Sequence, residues 1–561
     1  MKIKFCSHSN AVTTQRGKVG INPAYFFIKK YYELHGKNAD VTWLDPGMII
    51  LDSMDIVIKN IVQQHPSVLG LGVYIWNSEF QFQLAKEVKS QLPNTVIVLG
   101  GPSLDVHKHF ENDNQTTDFF EQYPYVDYVV YGDGEKPFQQ IIDYHGGFIS
   151  DKNNFVNIIE NNQGQGKCYP YEILDDALYL SQSPFASQED IMIKLRDYLL
   201  SRGLEYYQQI WGIEFARGCM YSCTFCDWSQ NLTKKVKRRT NDWKADIDLF
   251  HRLNVPIRET DANFGQWPDD IKAFDYAISL YTPTRTFSFV PINTPKLKKD
   301  VTEYLLKQNG LVYNVYPQIA IQDPMEDVLL AIDRPSVSWA EICAMVTNLK
   351  NALPPSVFSL TEMQTILGLP EQTIHSVVES YEKFYEIGVA IATYHLWVIL
   401  PNSPAADPVY QKRWGLKTKT VYQITDLLQA GRITKRSIGS LNPSMIDFGS
   451  LGDLYHRVFE EKPGPDQLNF IKYEAVVEHK KMTTADMWAA HMIRNKWTEL
   501  HRQSNLKSKS SEDIKKMLTT LKNDSIKESM HQYNLHKEFI DRYNFIIWVK
   551  YDPVNNKIYK F

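Results

Sequence analysis

The sequence predicts an α/β protein: a doubly wound, Rossmann-like N-terminal domain, a central partial (β/α)6 TIM-like barrel and an α-rich C-terminal region. Three observations predict it. Two separate series of short β-rich apolar runs alternate with amphipathic helical stretches, the pattern of βαβ units and parallel sheets. The 561 residues exceed what one hydrophobic core serves. Hydrophobic content of 43% with 22% charged residues is that of a folded globular chain, so long disordered segments are not expected.

In the first series MKIKFCS, ADVTWLDP, SVLGLGVYIWN, NTVIVLGGPS and YVDYVVYGDGE read as five strands with their exit loops. Between them NPAYFFIKKYYELHG, MIILDSMDIVIKNIVQQH, EFQFQLAKEVKSQL and a weaker stretch near Asp118 read as helices, and KPFQQIIDYH closes the unit. This N-terminal domain spans 1–147. Residues 148–208 break the alternation with the polar run IENNQGQGK and then SQEDIMIKLRDYLLSRG, a linker and a lead-in helix. A second series, WGIEFA, PIRETDAN, TFSFVP, VYNVYPQIAI, EMQTILGL and ATYHLWVI, gives βα units over 209–424. In such a barrel the loops at the strand carboxyl ends carry the site. From 425 to 561 the strand signal fades, TADMWAAHMIRNKWTELHRQ reads as helical, and the alternation in FIIWVKYDPVNNKIYKF suits a hairpin.

Lys plus Arg (61) against Asp plus Glu (65) gives a formal charge of -4, which supplies no global drive toward nucleic acid or an anionic membrane. The basic runs LTKKVKRRT (232–240) and NLKSKSSEDIKK (505–516) read as solvated faces, without the aromatic interleaving of a nucleic-acid surface. The N-terminal stretch lacks a signal-peptide core and no run approaches a membrane span, which points to the cytoplasm. Cys6, Cys168 and Cys343 are scattered, which suits a reducing compartment, and each reads as a small buried hydrophobe.

The other three cysteines are concentrated. WGIEFA leads into RGCMYSCTFC, which places Cys219, Cys223 and Cys226 on the loop leaving the first strand of the second series. Thiolates at this spacing can share one metal centre and select zinc or iron-sulfur clusters. A structural zinc site wants four protein ligands, and no fourth cysteine or histidine lies at knuckle spacing. A 4Fe-4S cluster also normally takes four, so three leave one iron open to another ligand. A zinc knuckle completed by a distant histidine, or a chance cluster, stays as the alternative.

RGCMYSCTFC, with aromatic Phe225 before the last cysteine, resembles the CxxxCxxC signature of the radical S-adenosylmethionine (SAM) superfamily. The resemblance implies that the three cysteines hold a 4Fe-4S cluster whose fourth iron binds SAM, and that reductive cleavage yields a 5'-deoxyadenosyl radical. RETDANFG (258–265) is similar to the second barrel strand of these enzymes, AIQDPMEDVLLAIDR (320–334) to the fourth, and MQTILGLPEQT (363–373) to the glycine-containing fifth strand near the adenine. LWVILPNSPAADPVYQKRWGLKT (396–418) continues the match. The likeness therefore implies cofactor contacts at Asp261, Asn263, Gln322 and Gly368. The family's second-strand Gly-Gly-Glu motif is absent, with Asp261 and Asn263 in its region. Phe225 either packs in the core or lies beside the cofactor, and Asp261 could equally cap a helix.

In the first domain GVYIWN, LGGPS and YGDGE put turns at strand carboxyl ends, where open α/β sheets bind ligands. Gly100 and Gly101, followed by Pro102 and Ser103, would let backbone approach a ligand, and Gly132 and Gly134 would shape a tight turn before Glu135. Alternatively these glycines only form turns. LGLGVY is no dinucleotide fingerprint, since the third glycine is missing. Placed before the three-cysteine barrel, this domain resembles the cobalamin-binding domain of the cobalamin-dependent radical SAM subfamily. That likeness implies cobalamin here, with Tyr74, Trp76 and Asn77 toward its lower side. The cobalt-ligating D-x-H-x-x-G motif is absent, and His107 and His109 read as solvated loop residues.

The resemblance points to a radical SAM enzyme, with cobalamin-dependent C- or P-methylation of an unidentified substrate and an electron donor such as flavodoxin or ferredoxin. Two other readings stay open: a radical SAM enzyme of rearranging or cyclising type whose N-terminal domain binds no cobalamin, and a non-catalytic, metal-stabilised binding protein.

Overall fold

The computed structural model describes residues 1–7, 19–45, 54–74, 77–104, 113–228, 236–283, 288–289, 299–334, 337–389, 391–400, 403–423, 473–502, 509–542, 545–548, 551–552 and 557–558. Strand β1 (Lys2–Ser7) is buried on both faces, because helices cover both sides of the sheet it starts. Strand β2 (Val19–Ile21) leaves that sheet, and β3 (Thr42–Trp43), β4 (Val68–Gly72), β5 (Val96–Gly100) and β6 (Tyr128–Val130) join it in parallel. The order β3-β1-β4-β5-β6 is that of a doubly wound sheet whose winding reverses between β1 and β4. Ligands of such sheets bind outside the strand carboxyl ends at that reversal.

The polar run expected as a linker is an edge hairpin. Strands β7 (Ile158–Asn162) and β8 (Gln165–Cys168) extend the same sheet antiparallel to β6. Only Ile158 and Ile159 of the five β7 residues are buried, so an edge strand with one wet end reads as polar sequence. A helix (Glu189–Ser201) then leads to β9 (Gln209–Ile213), the first barrel strand.

The barrel is seen as two arcs. β10 (Ala216–Arg217) and β11 (Lys237–Arg238) form a small antiparallel ribbon at the stem of the cysteine loop. β12 (Ile257–Glu259) pairs parallel with β9 and bridges to Phe289 on its far side, at the third expected strand. The other arc is β13 (Gln318–Gln322), β14 (Glu362–Leu367) and β15 (Ile391–Leu396). On the near side of β9 lies β2, in parallel register with Ile21 opposite Trp211. The N-terminal domain thus lends the barrel an edge strand.

Packing follows that exchange. Phe26, on the helix Ala24–His35, lies tilted 5.7 Å from Phe185 and 6.2 Å from Trp211, and Phe185 lies 5.0 Å from Phe250 on a barrel helix. One hydrophobic core therefore runs from β1 to the first half of the barrel.

The C-terminal region is less purely helical than its sequence suggests. β16 (Val398–Ile399), β17 (Lys417–Gln423), β18 (Tyr473–Glu478) and β19 (Phe545–Trp548) make a sheet in the order β16-β18-β17-β19, and Tyr551–Asp552 pairs with Lys557–Ile558 as a hairpin. Helices Thr484–Arg502 and Ser511–Arg542 pack on the second arc, with Trp497 against Tyr381. Among the described residues no helix is long and apolar enough to cross a membrane.

Candidate active site

β9 delivers the cysteine loop to the barrel mouth. Gly218 turns the chain at φ +99 directly before Cys219, and Cys219 and Cys223 are buried while Cys226 is half-buried. The loop is pinned from below: Thr224 N–H donates to the Ile332 carbonyl, its hydroxyl lies 3.0 Å from the Tyr410 hydroxyl, and Ala405 N–H donates to the Thr224 carbonyl. Phe225 is half-buried against the cluster of Met325, Leu369, Trp397 and Val476. No three His, Cys, Asp or Glu side chains among the described residues sit close enough to hold a single metal ion. In this geometry the cysteines do not form a mononuclear site.

Two side chains reach the sulfurs. Asn263, just beyond β12, donates from Nδ2 to Cys219 Sγ at 3.0 Å. Buried Arg334 hydrogen-bonds Cys223, faces the other two thiols, and donates from Nη2 to the Ala320 carbonyl at 2.6 Å. Sequence reading missed Arg334, because a lone arginine after a helix carries no signal of what it touches.

Around these contacts lie buried polar atoms without partners: Asp261 Oδ2, Asn263 Oδ1, Gln322 Oε1 and Arg334 Nε. Native interiors rarely leave such atoms unpaired, so this set marks room for a polar ligand. Asp261 Oδ1 already accepts from Phe215 N–H at 2.8 Å, and burial, with Glu259 beside it, holds the carboxyl well above the usual carboxylate range. Asp261 caps no helix here. Gln322 sits at a break in the β13–β14 register with φ +66, which sets it apart from ordinary strand. Gly368 N–H is held by Gln372 Oε1 at 2.8 Å, and Gln372 Nε2 donates to buried Asp323 at 2.6 Å. A Cβ at Gly368 would lie 2.7 Å from Met487 Cε, so the C-terminal helix closes against this turn.

At the carboxyl edge of the first sheet the loops interlock. Val73 N–H donates to the Gly100 carbonyl at 2.7 Å and Ser103 N–H to the Val73 carbonyl at 3.3 Å, with Pro102 in the same turn. Gly101 has φ +110, and a Cβ there would stand 2.6 Å from the Val73 carbonyl oxygen. Asn77 is fully buried, accepting from Tyr74 N–H at 2.7 Å and donating to the Gly72 carbonyl at 3.1 Å. Its side chain thus braces its own loop. Trp76, His107 and His109 lie outside the described residues. Tyr74 accepts a hydrogen bond from Asn22, the residue after β2.

Gly132 turns at φ +67 and Gly134 caps the helix Glu135–His145. Glu135 was expected at a ligand, but its carboxylate is taken up by Tyr179 (3.0 Å) and Arg217 (2.9 Å). The basic run after the cysteines is also not a solvated face along its described length: Arg239 is buried and Lys237 half-buried, paired with Glu214 and Asp133 respectively.

No family model matches the chain. It is 28% identical over 361 residues, 63% of its length, to the cobalamin-dependent radical SAM methyltransferase TokK of Streptomyces tokunonensis. It is 26% identical over 359 residues to the 2-(S-pantetheinyl)-carbapenam-3-carboxylate methyltransferase of Streptantibioticus cattleyicolor, again over 63% of this chain. Both sequence relatives bear the name of a methyltransferase, and the first that of a cobalamin-dependent radical SAM enzyme. The matched segment spans half the length of each relative. Among solved structures, the fold is similar to that of the radical SAM methyltransferase TsrM of Kitasatospora setae with cobalamin and a 4Fe-4S cluster bound, in a match that covers 94% of this chain and 99% of that one at a TM-score of 0.55. At 13% identity that likeness shows the fold alone.

Proposed function

We propose that this chain is a radical SAM enzyme that uses a 4Fe-4S cluster, SAM and cobalamin to methylate an unactivated carbon or phosphorus of its substrate. The observation that carries the reading is the three-cysteine loop at the carboxyl end of β9, with Cys219 and Cys223 buried and unpaired buried polar atoms beside it. Support also comes from the names of the two sequence relatives, both methyltransferases.

The residues fit the groups. Cys219, Cys223 and Cys226 would hold the cluster, with Asn263 and Arg334 directing N–H groups at sulfur, a contact that tunes such clusters. Asn263 Oδ1 and Gln322 Oε1 are acceptors suited to the amine and hydroxyls of SAM, Asp261 Oδ2 is a further polar partner whose protonated carboxyl can donate, and Arg334 Nε is a donor suited to the SAM carboxylate. When bound, the cluster supplies the electron that cleaves SAM and cobalamin supplies a methyl carrier. The turns Val73–Tyr74, Gly100–Ser103 and Gly132–Gly134 lie at the sheet edge where the corrin would sit. Packing of Met487 on Gly368 shuts the second arc on the C-terminal side and excludes water there.

Anaerobic reconstitution with iron, sulfide and hydroxocobalamin tests the reading. Iron-sulfur absorbance, a retained corrin spectrum and reductant-dependent release of 5'-deoxyadenosine are expected, and Cys223→Ala should abolish the first and third while leaving corrin retention. A wild-type protein that binds no cluster, or binds it without cleaving SAM, would overturn the proposal.

A further inference from the structure

We propose that Arg217 is a positioning residue that locks the cysteine loop to the Gly132–Glu135 turn of the N-terminal sheet, and so fixes the separation of the two cofactor sites. The inference depends on the cofactor reading above for its purpose, not for its geometry.

Arg217 ends β10, two residues before Cys219. Its guanidinium meets three carboxylates at once: Asp133 at 2.8 Å, Glu135 at 2.9 and 3.2 Å, and Glu214 at 3.0 and 3.1 Å. Asp133 and Glu135 come from the sheet turn; Glu214 comes from the barrel. The opposite stem of the loop joins the same network, since Lys237 of β11 reaches Asp133 at 3.3 Å. Arg239 then reaches Glu214 at 3.4 Å and the Tyr179 hydroxyl at 2.9 Å, and that hydroxyl donates to Glu135 at 3.0 Å. Three cations thus face three anions, and Phe27 lies under both arginines at 5.7 and 4.7 Å. A second tie at the same edge is the Asn22–Tyr74 hydrogen bond, which joins the residue after β2 to the candidate corrin loop.

A mainly buried ion network is a poor source of net stability, because the desolvation of its members cancels most of the attraction. What it supplies is geometry: a planar guanidinium gripping carboxylates bidentately fixes both distance and angle. Here the grip joins the stem of the loop carrying the cysteines to the turn beside the corrin edge. Lysine keeps the charge but not the fork, so Arg217→Lys separates orientation from charge balance.

The test uses the full chain loaded with both cofactors, the cluster reduced and the corrin as cob(II)alamin, so that pulsed EPR reads the dipolar coupling between the two paramagnets. In Arg217→Lys, cluster and corrin content should match wild type while the distance distribution broadens. Methyl product per 5'-deoxyadenosine should fall by about tenfold to a hundredfold, the scale of a misplacement near 1 Å. An unchanged distribution together with an unchanged ratio would overturn the proposal. If wild type retains neither cofactor, the functional reading fails instead, and the lock is then judged by hydrogen exchange in the cofactor-free protein. Faster exchange in Arg217→Lys at both 216–217 and 132–135 supports it, and equal exchange at both overturns it.

Discussion

Asp323 is the clearest case of a residue whose surroundings decide its chemistry. Burial raises its carboxyl to about 7, against smaller pulls downward from Gln372 and the Met325 N–H. Between pH 4 and 7 the unfolded chain releases a proton that the folded chain keeps, so this group's contribution to stability falls as pH rises through that window and is level above it. Asp323→Asn removes the slope and brings its own amide against that of Gln372, a cost of about 1–3 kcal/mol. Thermal unfolding from pH 4 to 7.5 should therefore show the gap between wild type and variant narrowing as pH rises. Cys219, Cys223 and Cys226 were legible in the sequence because their spacing is local. Arg334 and Arg217 were not, since their meaning lies in contacts made across the fold, and the partners of Glu135 were hidden for the same reason.

Among the elements, the β7–β8 hairpin separates a linker from structure. Were it a linker, Ile158→Ala would be nearly silent. Because Ile158 is fully buried between β6 and the core, the substitution should cost about 2–5 kcal/mol. Hydrogen exchange along 158–168 should accelerate in the variant. Strands with covered faces, such as β4, stand out as apolar runs, and the five parallel strands of the first sheet were readable for that reason. β7 and β18 were not: β7 passes from two isoleucines into Glu160, Asn161 and Asn162, and β18 flanks Ala475–Val477 with Glu474 and Glu478, mixtures that a sheet edge or a half-covered sheet tolerates and a composition reading assigns to coil or helix.

At the scale of the molecule, the N-terminal sheet and the first half of the barrel share one core, so the two candidate cofactor regions are not expected to fold independently. Phe26→Ala, in a helix of the first domain, should cost about 3–5 kcal/mol and lower retention of corrin and cluster together, because Phe185 and Trp211 lose their partner. Calorimetry should show one transition for both regions move, rather than two that separate. The sequence marked where the strand pattern restarts but could not reveal that β2 crosses over, since three residues carry no record of their partner. That crossover has a consequence in time. On a ribosome adding about 5–20 residues per second, the strand at 19–21 emerges roughly ten to forty seconds before its mate at 209–213. The nascent chain must carry an unpaired edge for that interval, so the yield of folded protein will depend on how slowly, and how well chaperoned, those residues are made.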